Sequence, residues 1–253
     1  MKIINSLRVT LACSLISISL INTVSAQQDS CKGRLDISAD LMSRYIWRGL
    51  NLGGSSPSIQ PGIEYTNGNF ALGAWGAYSF SNAVTSQEMD LYLGYTIADR
   101  FNVTITDYFL PKEDTLNNYF NYSKGRTNHI FEVSAKFLGT EKLPLSLMIA
   151  TNVYGSDTKK SNGDNQFSTY IELGYNFNLK ETGCNAFIGF TPNNPDESKG
   201  EVGFYGPGPG VINLGITATK EIRITDSFSL PVNASLLTNP QAENIFLVFG
   251  ISL

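Results

Sequence analysis

One histidine stands in the chain, His129, and its side chain is the type best suited to moving protons near neutral pH. To activate a hydroxyl it needs a Ser or Thr within hydrogen-bond reach. On a strand, the neighbour on the same face lies two residues away, and that position holds Phe131. Only Ser168 or Thr169, on an adjacent strand, remain as partners. Metal chemistry is thinner still, because one His with Cys31 and Cys184 far apart lacks the spacing of a ligand set. DTKKSNGDN (residues 157–165) offers oxygen atoms without the acidic spacing of a calcium loop. GFYGPGPG (203–210) has glycines but no strand-to-helix setting for phosphate, and reads as a stiff, irregular surface loop. No cofactor is implied.

The charged residues have a pattern of their own. In RLDISADLMSRYIWRGLN (34–51), Leu35, Ile37, Ala39, Leu41, Ser43, Tyr45 and Trp47 alternate with Asp36, Ser38, Asp40, Met42, Arg44, Ile46 and Arg48. A period of two means a strand with one apolar and one charged face. It predicts a strand of about fourteen residues, well beyond the usual five or six. The rhythm recurs to give twelve candidate strands, the last ending at Leu253. Short connectors such as TNGN and KETG alternate with long polar ones, of which PKEDTLNNYFNYSKGRTN and TPNNPDESKGEVGFYGPGPG are the largest. Pro231, lacking a donor, predicts a bulge or weak pairing in the eleventh strand.

The start, MKIINSLR followed by thirteen apolar-rich residues and Val24-Ser25-Ala26, predicts a cleaved signal peptide over 1–26. It would carry Lys2 and Arg8 of the 18 basic residues and none of the 22 acids, leaving a net charge of 16 − 22 = −6 on residues 27–253. That balance argues against nucleic acid as a partner.

An even number of long amphipathic strands, loops that alternate in length and a signal peptide predict an all-β, transmembrane antiparallel barrel of the bacterial outer membrane. Its long loops would be extracellular and its short turns periplasmic. The apolar rows would meet lipid, with Tyr45, Trp47, Tyr78, Phe80, Phe131 and Phe167 at one interface, and Tyr65, Phe70, Tyr95, Phe101, Phe137, Tyr175, Phe177 and Phe228 at the other. A secreted sandwich or lipocalin-like barrel is the alternative, and it would turn the apolar rows inward.

The segment SRYIWRGLNLGGSSPSIQPGIEY with the following FALGAWGAYSF resembles the opening of the TorF porin family. The shared pattern falls on Ser43, Tyr45, Trp47, Arg48, Gly49, Pro57, Gln60, Gly73, Trp75 and Gly76, within roughly a fifth of residues 27–253. Many such barrels finish on an aromatic residue, whereas this chain finishes on Leu253. The resemblance implies fold and location, and it carries over no functional residues.

By parity the lumen holds Asp36, Asp40, Arg44, Arg48, Glu64, Glu88, Asp90, Glu132, Lys136, Glu172, Glu221 and Arg223, eight acids to four bases. Such residues tune conductance and selectivity, or pair with one another to fill the barrel. The expected function is passive diffusion of small hydrophilic solutes with a mild cation preference. A closed barrel whose loops bind a surface partner is the first alternative, and a lipid-modifying enzyme built on His129 the second. Membrane lipid, small solutes and, during biogenesis, the barrel-assembly machinery are the expected partners. A Cys31–Cys184 disulfide across the barrel mouth is an open expectation.

Overall fold

The structure, a computed structural model, describes residues 33–81, 87–111 and 116–253. The expected signal peptide and Cys31 lie outside them. In chain order the strands are β1 (Arg34–Met42), β2 (Ile46–Trp47), β3 (Leu50–Asn51), β4 (Ser58–Asn67), β5 (Phe70–Ser79), β6 (Gln87–Ile97), β7 (Phe101–Phe109), β8 (His129–Phe137), β9 (Leu145–Gly155), β10 (Thr169–Leu179), β11 (Thr182–Thr191), β12 (Gly210–Arg223), β13 (Ser229–Asn239) and β14 (Asn244–Ser252). Twelve of them close an antiparallel barrel in which each strand pairs with its chain neighbours, and β1 meets both β4 and β14. Strands β2 and β3 form a separate two-stranded hairpin.

The rows face as the alternation predicts. Leu35, Ile37, Leu72, Leu93, Ile105, Leu173, Leu247 and Phe249 are exposed on the outside. Asp40, Glu88, Asp90, Glu132 and Glu172 are buried inside. A soluble barrel requires the reverse, so the apolar exterior excludes that alternative. The short-turn aromatics Tyr65, Phe70, Tyr95, Phe101, Tyr175 and Phe228 are all exposed outward.

The first strand departs from its prediction. It stops at Met42 after nine residues. Ser43 still exchanges bonds with Phe249, its N–H donating to the carbonyl at 2.8 Å while its Oγ accepts the Phe249 N–H at 2.9 Å. The side chain thereby takes a bond that the next stretch of ladder would have made. Beyond it the chain turns into the barrel, and Tyr45 and Trp47, expected outside, are buried within.

Ile212, expected on the outer row, is fully buried inside. The register of β11 against β12 shifts at Gly189/Phe190, so Gly189 meets Asn213 and Phe190 meets Val211. The extra residue breaks the alternation, as a bulge does. Pro231 causes no bulge. It faces Glu221 in unbroken register and lies one residue beyond the pairing of β13 with β14, where its missing donor costs nothing.

The interior is not uniformly polar either. Phe187, Leu237, Phe246 and Val248 form an apolar inner wall against which Met42 and Ile46 pack. The continuous run Ile245–Phe249 carries the signal for a strand buried on both faces.

Candidate functional site: a hairpin plug inside the barrel

Ile46 pairs with Asn51 and Trp47 with Leu50, leaving Arg48-Gly49 as a two-residue turn. Both turn residues have positive φ, +50° and +79°, the signature of a type I′ hairpin turn. Position 49 accepts only glycine, because a Cβ there would sit 1.9 Å from the Ile212 carbonyl oxygen. The Gly49 carbonyl in turn accepts from Asn239 Nδ2 at 3.2 Å. Tryptophan-arginine-glycine is thus the tip of a hairpin driven into the lumen.

Arg48 is the pivot. Its guanidinium donates to both Glu132 oxygens, at 2.5 and 2.9 Å, and to Tyr205 Oη at 2.5 Å. The side chains of Arg48 and Glu132 are each only 2% exposed. The guanidinium carbon lies 4.4 Å from the Trp47 ring centre and 4.8 Å from that of Tyr170, close enough for cation–π attraction. Tyr108 also donates to Glu132, at 3.1 Å. Trp47 stacks on Tyr205 at 5.9 Å and meets Tyr108 edge-on at 5.6 Å. Tyr45 donates to Glu88 at 2.7 Å, and Tyr170 to Glu172 at 2.5 Å. Trp47 Nε1, Arg48 Nε and Asp90 Oδ1 are buried with no hydrogen-bond partner among the described residues.

The expected lumen residues therefore split. Asp40, Glu88, Asp90, Glu132 and Glu172 face the interior, and Asp36, Glu64 and Lys136 are half-buried on the same face nearer the short turns. Arg48 is on the plug rather than on a barrel strand. Arg44 lies in the approach to it, with Nη1 3.2 Å from the Gly54 carbonyl oxygen. Glu221 and Arg223 are exposed at the short-turn rim, where Arg223 pairs with Asp226.

Sequence reasoning missed the tyrosines. Tyr205 belongs to GFYGPGPG and is only 3% exposed, not a surface side chain. Tyr170 sits on an inward row, and an aromatic on a polar row was the available sign that something packs against it.

His129 keeps its outward row, level with Phe109 across the ladder, yet is fully buried. The connector after β7 folds back over the outer wall, and the rings of Tyr119 and Tyr122 lie 5.0 and 4.4 Å from the imidazole. Nε2 donates to the Tyr119 carbonyl at 2.6 Å, and Nδ1 shares a proton with the Asp107 carboxyl at 2.7 Å. Both nitrogens are thus engaged. Neither hydroxyl considered as its partner contacts it, since Ser168 Oγ bonds Thr158 and Thr169 Oγ1 bonds Thr151. Cys184 sits on the outward row opposite Phe177, buried and without a disulfide among the described residues, which do not include Cys31.

The other long loops are tied together. Glu201 accepts from the Ser161 and Asp196 N–H groups at 2.7 and 2.9 Å, and these donors hold its carboxyl below the usual range. Gln166 Nε2 bridges the Lys159 and Val202 carbonyls.

Among solved structures, engineered variants of the Rhodopseudomonas blastica porin align with 78% of this chain and 55% of their own length, at 11% identity and a TM-score of 0.38. Wzi, a carbohydrate-binding β-barrel of the outer membrane involved in group 1 capsule assembly in Escherichia coli, aligns over 87% of this chain and 56% of its own length, at 11% identity and a TM-score of 0.32. The chain thus spans a little over half the length of these structures. No curated protein matches it. A family model described as a bacterial protein of unknown function, Gcw_chp, matches residues 27–201, which include β1 to β11 and the whole plug hairpin. On that match the chain belongs to the Gcw_chp family of bacterial proteins of unknown function.

Proposed function

We propose that the protein is an outer-membrane channel for small hydrophilic solutes, closed by its own hairpin plug and opened when the plug moves. The plug is the observation that carries this reading. A barrel that needed only filling would be sealed by apolar side chains, with every polar group paired. Here the hairpin is packed among aromatic rings, yet its tip carries a buried ion pair, a non-glycine residue at positive φ and two donors without a partner among the described residues, Trp47 Nε1 and Arg48 Nε. Those donors regain water when the hairpin leaves the lumen.

Toward the short turns the inner face is polar and only half-buried, with Asn102, Thr104, Ser134, Lys136 and Asn185 lining it. This supports a wet vestibule beneath the plug. The apolar exterior supports a membrane location, because such a band belongs in hydrocarbon. The likeness of the plug segment to TorF-family porins forms part of this proposal, not of the family assignment.

Glu132 neutralises Arg48 and Arg34 pairs with Asp36, so Asp40, Glu64, Glu88, Asp90 and Glu172 share the path with the cations Lys136 and Arg44. Mild cation preference follows, softened by screening within about 8 Å. Both His129 nitrogens are engaged, by Asp107 and by the Tyr119 carbonyl, which favours the channel over a lipid hydrolase built on this residue.

Purified protein in planar bilayers tests the proposal. Wild type should be mostly closed, with brief openings whose reversal potential in a salt gradient marks cation preference. An Arg48→Ala variant, which leaves Glu132 buried without its partner, should be open far more of the time. Silence from both would favour the closed barrel with loop partners, and anion preference would overturn the assigned lumen charge. Solubility without detergent would remove the membrane location altogether.

A further inference from the structure

The connector between β7 and β8 does not rise from the barrel like an ordinary loop. Within its described residues 116–128, Tyr119 and Tyr122 lie against the outer wall. Tyr119 packs edge-on against Phe109 at 5.0 Å, Tyr122 lies 6.1 Å from Phe131, and Tyr154 on β9 donates to the Tyr122 carbonyl at 2.6 Å. All three underlying residues are on the outward row, with Phe131 paired to Tyr154 and Phe109 to His129.

The height of this contact can be estimated. A barrel strand tilted by about 40° climbs about 2.5 Å per residue along the barrel axis. Phe101 pairs with Phe137 in the lower aromatic ring. From there Phe131 stands about 15 Å up and His129 about 20 Å up, whereas the apolar band of a membrane barrel is about 25 Å tall. The His129–Asp107 pair therefore sits inside the band on the lipid side, where bare charge is costly. The loop is what covers it.

A loop at that height meets lipid itself. Leu116 and Phe120 are 84% and 89% exposed, an unusual state for large apolar side chains in water. Just beyond them in the chain are exposed Lys124 and Arg126, with no acid among residues 116–126; Glu113 and Asp114 of the same connector lie outside the described residues. Arg126 stands three residues before His129 in the chain, just outside the start of β8.

We propose that this loop is a lipid-binding apron. Phe120 and Leu116 enter the apolar layer, and Lys124 and Arg126 bind the phosphate of an anionic lipid. The His129 clasp with Asp107 and Tyr119 fixes the loop from beneath. The site rests on the membrane location proposed above but not on channel activity.

Native mass spectrometry of the detergent-extracted protein, incubated with phosphatidylglycerol or phosphatidylcholine, reads the site directly. Wild type should retain phosphatidylglycerol with a preference of roughly 30-fold, about fivefold for each cation near the surface. Lys124→Gln with Arg126→Gln should abolish that preference, and Phe120→Ser should weaken retention of both lipids. Heat-modifiable gel mobility checks that each variant is folded. Equal retention by wild type and the double variant overturns the proposal. So does a Phe120→Cys variant that crosslinks to a second copy while binding no lipid, which would make the face a subunit contact. A protein soluble without detergent refutes the membrane location, whereas a detergent-dependent barrel indifferent to phosphate refutes only the apron.

Discussion

Replacing Arg48 by Met should open the channel. The substitution removes both bonds to Glu132 and the bond to Tyr205, leaving a buried carboxylate with the Tyr108 hydroxyl at 3.1 Å as its main remaining donor. Breaking a buried pair from one side costs about 3–5 kcal/mol, because the remaining charge loses its partner but stays desolvated. When the hairpin withdraws, Glu132 faces an aqueous lumen and regains solvation, so the penalty falls on the closed state alone. At about 1.4 kcal/mol per factor of ten, the ratio of open to closed should rise roughly 140- to 3,700-fold. Adding Glu132→Met removes the stranded charge and should restore part of the closure, giving a coupling of about 2 kcal/mol or more in the double-mutant cycle. Single-channel open probability in planar bilayers measures all four corners, with heat-modifiable gel mobility confirming that each barrel is folded. If Arg48→Met, folded, opens within fivefold of wild type, the ion pair does not hold the plug and the reasoning fails.

Three further outcomes follow from neighbouring features. Gly49→Ala places a Cβ 1.9 Å from the Ile212 carbonyl at φ +79°, so it should unseat the hairpin tip and give frequent openings without loss of the barrel; normal closure would show that the tip can shift freely. Glu201 has a carboxyl held below its usual 4.5 by two N–H donors, so the tie it makes is complete above that value and lost as pH falls through the lowered one. Amide exchange at Ser161 and Asp196, compared with Glu201→Gln at each pH, should show protection at pH 6 that persists to below 4.5 and is lost only at lower pH. His129→Ala should release the apron, so that trypsin cuts after Lys124 or Arg126 faster than in wild type, while lipid hydrolysis stays absent in both; turnover lost in the variant would restore the enzyme reading.

Twelve strands, their order and the outward facing of the apolar rows could be read from alternation and connector length. A strand fixes its two faces locally, because successive side chains point to opposite sides whatever lies around them. The Asn-rich and Gly-rich turns are local as well. The same rule placed Asp40, Glu88, Asp90, Glu132 and Glu172 inside. It failed wherever the chain left the ladder. Tyr45 and Trp47 continue the alternation of β1 in the sequence, but the strand ends at Met42, and nothing within the segment reports that Ser43 Oγ takes the Phe249 N–H. Ile212 was misassigned because a one-residue register shift depends on which partner strand β12 meets. Arg48 and Glu132 are 84 residues apart, and Tyr205 comes from a third region of the chain. The sequence by itself determined the barrel and its charged interior. Only closure of the barrel decided that this interior is plugged, since a buried ion pair exists only where distant strands bring both charges out of water together.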